Sequence, residues 1–97
     1  MYVYILYSAA RGRYYIGETQ NVEQRLMQHR TGFFRASSTA NTTDWELVIA
    51  IPCADRIIAR ALEAFLKRQR NRQFLERFML DEAYRKKLLF DRFGIEQ

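Results

Sequence analysis

One cysteine, one histidine and one proline stand in 97 residues, with only four glycines beside them. The lone Cys53 excludes a disulfide framework and a cysteine-rich zinc site. The lone His29 excludes a metal cage built from several histidines. No apolar run approaches the roughly 20 residues that a membrane-spanning helix needs. The opening residues, MYVYILYS, lack the basic lead and small-residue cleavage site of a signal peptide. A soluble cytoplasmic protein is therefore the expectation. There are no repeats, no low-complexity tracts and no linkers, so the length implies one domain over 1–97. Aromatic residues make up 14% of the chain, which argues against disorder.

Positive charge is what the chain has in excess. The net charge is +5, and 13 of the 16 basic residues are arginine. The planar guanidinium fork suits phosphate, so the composition is compatible with nucleic acid and equally with simple solubility. The location is more telling. Residues 56–72 hold Arg56, Arg60, Lys67, Arg68, Arg70 and Arg72 against the single acid Glu63, and account for the whole net charge. Glu63 is either an ordinary helix partner for Lys67, four residues on, or a metal ligand placed where phosphates gather.

Hydropathy and turn signals give the order β-β-α-β-α-α. Residues 2–7 and 14–17 are β-branched and aromatic and flank the Gly12 turn, which predicts a hairpin. Asn21 is a candidate N-cap for a helix over 22–30, with Gln24 three residues later. Residues 33–44, FFRASSTANTTD, read as a loop whose small polar groups can approach a phosphate backbone. A third strand is expected over 45–51, closed by Pro52. Asp55 caps a helix over 56–70, and an apolar helical period continues over 74–90. The expected fold is α+β: a small antiparallel three-stranded sheet flanked by helices, with 74–97 as a C-terminal helical extension. That extension is read either as a packing helix or as a surface for self-association into a homo-oligomer.

Two aromatic signatures stand on the predicted hairpin, Tyr2-Val3-Tyr4 and Tyr15-Ile16-Gly17. Arg25 follows eight residues after Gly17, and His29 four residues later, on the same helical face. The stretch ALEAFLK then carries Glu63. Taken singly, each residue has a plain reading. Tyr4 and Tyr15 serve as cross-strand aromatics, His29 as a helix C-terminal residue and Arg25 as a surface charge. Taken together, YVYIL, YYIGETQNVEQRLMQH and ALEAFLK resemble the GIY-YIG nuclease family, and within it the small stand-alone bacterial members. The resemblance covers residues 2 to about 70.

The resemblance implies a metal-dependent endonuclease that hydrolyses phosphodiester bonds of DNA by water attack, with structure-selective cutting and DNA repair among its settings. It implies Tyr4, Tyr15, Arg25, His29 and Glu63 as catalytic residues, with Glu63 holding one divalent cation, Mg²⁺ or Mn²⁺. Arg25, Arg56, Arg60, Lys67, Arg68 and Arg70 are the expected contacts to the DNA backbone. The chemistry is coherent in its own right. Hydrolysis needs an activated water and a counter-charge for the pentacovalent phosphorus. Tyr15 is the implied base; phenols titrate near 10 in water, and a neighbouring cation such as Arg25 favours the phenolate. Gly17 lets the backbone pass close to the cluster. The sequence departs from the family in reading Tyr-Val-Tyr in the first signature. It also carries Glu18 where some branches have a lysine, an acid that either draws a second cation or repels phosphate. The alternatives are a non-catalytic nucleic-acid-binding module and a protein-interaction domain using the C-terminal helix.

Overall fold

The computed structural model describes residues 1–32 and 42–96. Most of the expected 33–44 loop, from 33 to 41, lies outside the described residues. Strand β1 (Tyr2–Ser8) and strand β2 (Arg13–Thr19) form an antiparallel hairpin, with Gly12 at φ +60° in the turn. Glycine adopts that left-handed conformation without the steric cost a Cβ brings. Helix α1 (Val22–Arg30) follows, and the Asn21 carboxamide accepts from the Gln24 amide at 3.0 Å as the N-cap. Strand β3 (Glu46–Pro52) pairs antiparallel with β1, giving the order β2-β1-β3. The proline at its end removes a ladder donor only at a sheet edge, where that is tolerated.

Beyond the sheet, Asp55 caps helix α2 (Arg56–Gln69) by accepting from the Ile58 amide at 2.9 Å. The chain then makes helix α3 (Arg72–Leu80) and helix α4 (Glu82–Phe93). The single periodic segment expected over 74–90 is thus two helices, and the element order gains one α. The break falls at Asp81, whose carboxylate accepts from the Tyr84 amide at 3.0 Å and starts α4 afresh. An aspartate that competes for backbone N–H groups in this way overrides a continuous apolar period.

The alternation of β1 divides the molecule into two layers. Val3 and Ile5 face the main core with Ile16, Ile51, Ala59, Leu62 and Leu66. Phe78, Met79, Leu89 and Ile95 enter the same core, so α3 and α4 pack on the sheet-side helix rather than standing off it. Tyr4 and Leu6 face the other way, into a smaller cluster with Trp45, flanked by Tyr15, Val22 and Leu26. The segment before β3 is clipped to the hairpin turn. Asp44 accepts from Ser8 Oγ at 2.6 Å and from the Ala10 amide at 2.8 Å. Among the described residues, no helix is long and apolar enough to cross a membrane.

Candidate active site

The second layer gathers the aromatic signatures. Register pairs Tyr4 with Gly17 and Leu6 with Tyr15, which puts Tyr4 and Tyr15 on one face of the hairpin as diagonal neighbours. Their ring centroids are 6.2 Å apart. Helix α1 lays His29 onto them: Tyr4 Oη is 2.9 Å from His29 Nε2, and the His29 ring is 4.6 Å from that of Tyr15. Trp45 closes the far side, edge-on to Tyr15 at 6.5 Å. Its part was not foreseen from the sequence, where it reads only as the start of a strand.

Electrostatics set the protonation of the Tyr4–His29 pair. Burial pushes the Tyr4 phenol well above its ordinary value, helped by the Tyr15, Glu63 and Glu18 charges and opposed by Arg25. Burial, and then Arg25, lowers His29 to about 4. At neutral pH the pair is therefore a protonated phenol and a neutral imidazole, joined by a hydrogen bond whose direction follows the imidazole tautomer. The shift also links His29 to stability. Between about pH 6.5 and 4 the unfolded chain binds a proton on His29 that the folded chain refuses, so stability falls as pH falls through that window. The loss approaches roughly 3 kcal/mol if the shift is fully expressed. Urea midpoints at about pH 7 and about pH 4.5 check this, and His29→Gln, whose amide does not titrate but can still hydrogen-bond Tyr4, is expected to flatten the dependence.

Gly17 is where the backbone must yield. A Cβ there would lie 2.6 Å from Tyr4 Oη and 2.7 Å from its Cζ. Tyr4 is 1% exposed and tethered to His29, so its ring has nowhere to go. Gly17→Ala is expected to cost about 1–3 kcal/mol in urea denaturation and to displace Tyr4 from His29.

Helix α2 brings the acid and the cations. Arg56, Arg60, Glu63, Lys67 and Arg70 recur at helical spacing along one stripe, beside the buried stripe of Ala59, Leu62 and Leu66. Glu63 accepts from Lys67 at 2.7 Å, so the plain i,i+4 reading holds geometrically. Its charge is also felt by Tyr4, which places it within electrostatic reach of the cluster across the β2 edge. Arg60 pairs with Glu18 at 3.7 Å. The second Glu18 oxygen, Oε2, is buried without a hydrogen-bond partner. Among the described residues, the Arg56, Arg68 and Arg70 side chains make no ion pair.

The structure thus brings Tyr4, Tyr15 and His29 into contact, and sets Arg25 and Glu63 within their field. Glu63 is the acid among the expected site residues, and no group of three His, Cys, Asp or Glu side chains that could hold a metal occurs among the described residues. That donor set fits a hard cation that keeps most of its waters and takes one or two carboxylates and a phosphate oxygen, as Mg²⁺ does. The orphaned Glu18 oxygen is a further hard donor in the same field.

The family model described as the GIY-YIG catalytic domain matches residues 1–77. The chain belongs to the GIY-YIG family. The match spans the hairpin, α1, β3, α2 and most of α3, and the three-stranded sheet with its helices is the GIY-YIG-like α+β fold. The family is that of endonucleases, which act on DNA and generally use divalent metals. No curated protein and no solved structure matches the chain.

Proposed function

We propose that this GIY-YIG protein is a metal-dependent endonuclease that hydrolyses phosphodiester bonds of DNA and selects its substrate by structure. The observation that carries the reading is the tyrosine–histidine cluster folded over Gly17, with Arg25 and Glu63 in its field. Glu63 is the residue that would hold the divalent cation, Mg²⁺ or Mn²⁺. Bound there, such an ion supplies charge stabilisation at the phosphate and the leaving oxygen.

The chain's own residues do the rest. Arg25 provides a fixed cation for the scissile phosphate. Tyr15 Oη receives the proton of the attacking water as the new P–O bond forms and the bond to the leaving oxygen breaks. His29 packs against Tyr15 and fixes its ring, and the protonated Tyr4 fixes His29 in turn. Arg56, Arg60, Lys67, Arg68 and Arg70 extend the cationic surface along and beside the α2 stripe for the DNA backbone. The whole chain acts as one domain in the cytoplasm, with α3 and α4 as a buttress whose exposed Leu80 and Phe90 are the surface a second copy would use.

A non-catalytic nucleic-acid-binding module is the second reading, favoured by the Lys67 ammonium already neutralising Glu63. Cleavage of duplex, flap, junction and single-stranded DNA, with Mg²⁺ and with chelator, separates the two. The nuclease reading expects metal-dependent cutting concentrated on branched substrates. Steeply salt-dependent binding with no cutting of any substrate would establish the other.

A further inference from the structure

Arg70 ends α2 at φ +44°, the one left-handed non-glycine among the described residues. Helices commonly end on glycine at such a position, because a Cβ there is strained. A long cationic side chain kept against that cost points to what the side chain does. Arg70 lies on a groove between β2 and the α2–α3 junction, with a volume of about 740 Å³. Arg13, Lys67 and Arg72 line it too, with Tyr14 and Tyr15 along the strand side.

The four cations are not equivalent. Arg72 is committed: it donates to the Gly12 carbonyl at 3.2 Å, pairs with Glu76 at 3.6 Å and lies 5.4 Å from the centre of the Tyr14 ring. It is a wall. Lys67 is shared with Glu63. The Arg13 and Arg70 side chains make no hydrogen bond or ion pair among the described residues. Tyr15, the end of the groove nearest His29, also belongs to the aromatic cluster. The groove therefore shares Tyr15 with the candidate active site and meets its acid through Lys67, the ion-pair partner of Glu63.

We propose that this groove seats a single-stranded segment of DNA running from the scissile phosphate, with its phosphates on Arg13 and Arg70. The proposal rests on the nuclease reading and deepens it by naming the substrate class: DNA with an unpaired strand beside the cut. Size argues for one strand. The volume lies within the range of about 300–1,000 Å³ that takes drug-sized ligands. A duplex, whose major groove alone is about 12 Å wide, is too bulky to enter. Continuity argues for a polymer, since an isolated anion held at Arg13 and Arg70 would leave the connection to Tyr15 unused.

The test is fluorescence-anisotropy binding of a labelled single strand and of a duplex of equal length, with metal chelated and the full chain used throughout. Arg13→Ala and Arg70→Gly are each expected to weaken single-strand binding about three- to tenfold, and to reduce the salt slope by about 0.7. Duplex binding should change less than about twofold, and Lys87→Ala, on α4, controls for loss of one charge. Arg70→Gly should melt no lower than wild type, because glycine suits the left-handed cap; misfolding therefore cannot account for its loss. Losses no larger than that of Lys87→Ala, or equal losses on duplex, would overturn the proposal. Chelation keeps this result apart from catalysis. A chain that cuts nothing yet loses single-strand affinity in both variants contradicts only the nuclease reading.

Discussion

Tyr15→Phe is expected to slow DNA cleavage by about 10²- to 10⁴-fold, the usual contribution of a positioned proton acceptor. DNA binding and stability should stay near wild type. The reason lies in what the substitution leaves alone. The Tyr15 ring packs 4.6 Å from His29 and edge-on to Trp45 at 6.5 Å, and phenylalanine keeps both contacts. The Tyr15 hydroxyl makes no hydrogen bond to a described residue, so removing it strands no buried partner. A loss of rate without a loss of stability or affinity then belongs to the missing oxygen. Single-turnover cleavage, anisotropy and urea denaturation on one preparation read the three quantities. A rate within about twofold of wild type would remove Tyr15 from the chemistry and leave it as a cross-strand aromatic.

Glu63→Gln is expected to remove on the order of 10³-fold of the metal-stimulated rate. Charge stabilisation by a bound cation is worth several kcal/mol, and about 1.36 kcal/mol is a factor of ten. The amide oxygen still accepts from Lys67, now 2.7 Å from the carboxylate, so α2 keeps its i,i+4 contact. The substitution also deletes the only acid in the stripe that runs from Arg56 to Arg70. Binding to DNA should therefore hold or tighten while cleavage collapses. Those opposite directions are the signature of a lost metal ligand, because unfolding would lower both. Titration of Mg²⁺ or Mn²⁺ against the cleavage rate should saturate for wild type and stay flat for the variant.

The parts of the fold written in local signals were legible. The hairpin follows from β-branched and aromatic runs around Gly12, and the Asn21 and Asp55 caps each sit where a side-chain oxygen meets an N–H three residues on. The C-terminal break was hidden for the same local reason in reverse. Leu80 and Tyr84 keep the apolar period running, and only the Asp81 carboxylate turning to cap Tyr84 splits it. The α2–α3 break was expected between 70 and 74, although no glycine or proline marks it, and Arg70 makes it in a conformation its residue type disfavours.

The same division holds at the site. The hairpin related Tyr4 to Tyr15 and a four-residue helical step related His29 to Arg25, but the resemblance to the GIY-YIG family is what brought the two pairs into one site. What Trp45, Arg13 and Glu18 do depends on distant partners. Trp45 reaches Tyr15 across 30 positions, Glu18 reaches Arg60 across the β2 edge, and Arg13 meets Arg70 only through the groove between them. No spacing rule within a single element carries such pairings.

The most direct test is single-turnover cleavage of a flap substrate in Mg²⁺, comparing wild type with Glu63→Gln purified identically, with binding measured in parallel. The nuclease reading predicts strand cleavage by wild type that chelator abolishes. It predicts none above background from the variant, although the variant binds the flap at least as tightly. Cleavage of equal rate from both proteins, or tight binding by wild type with no cleavage at all, would contradict it.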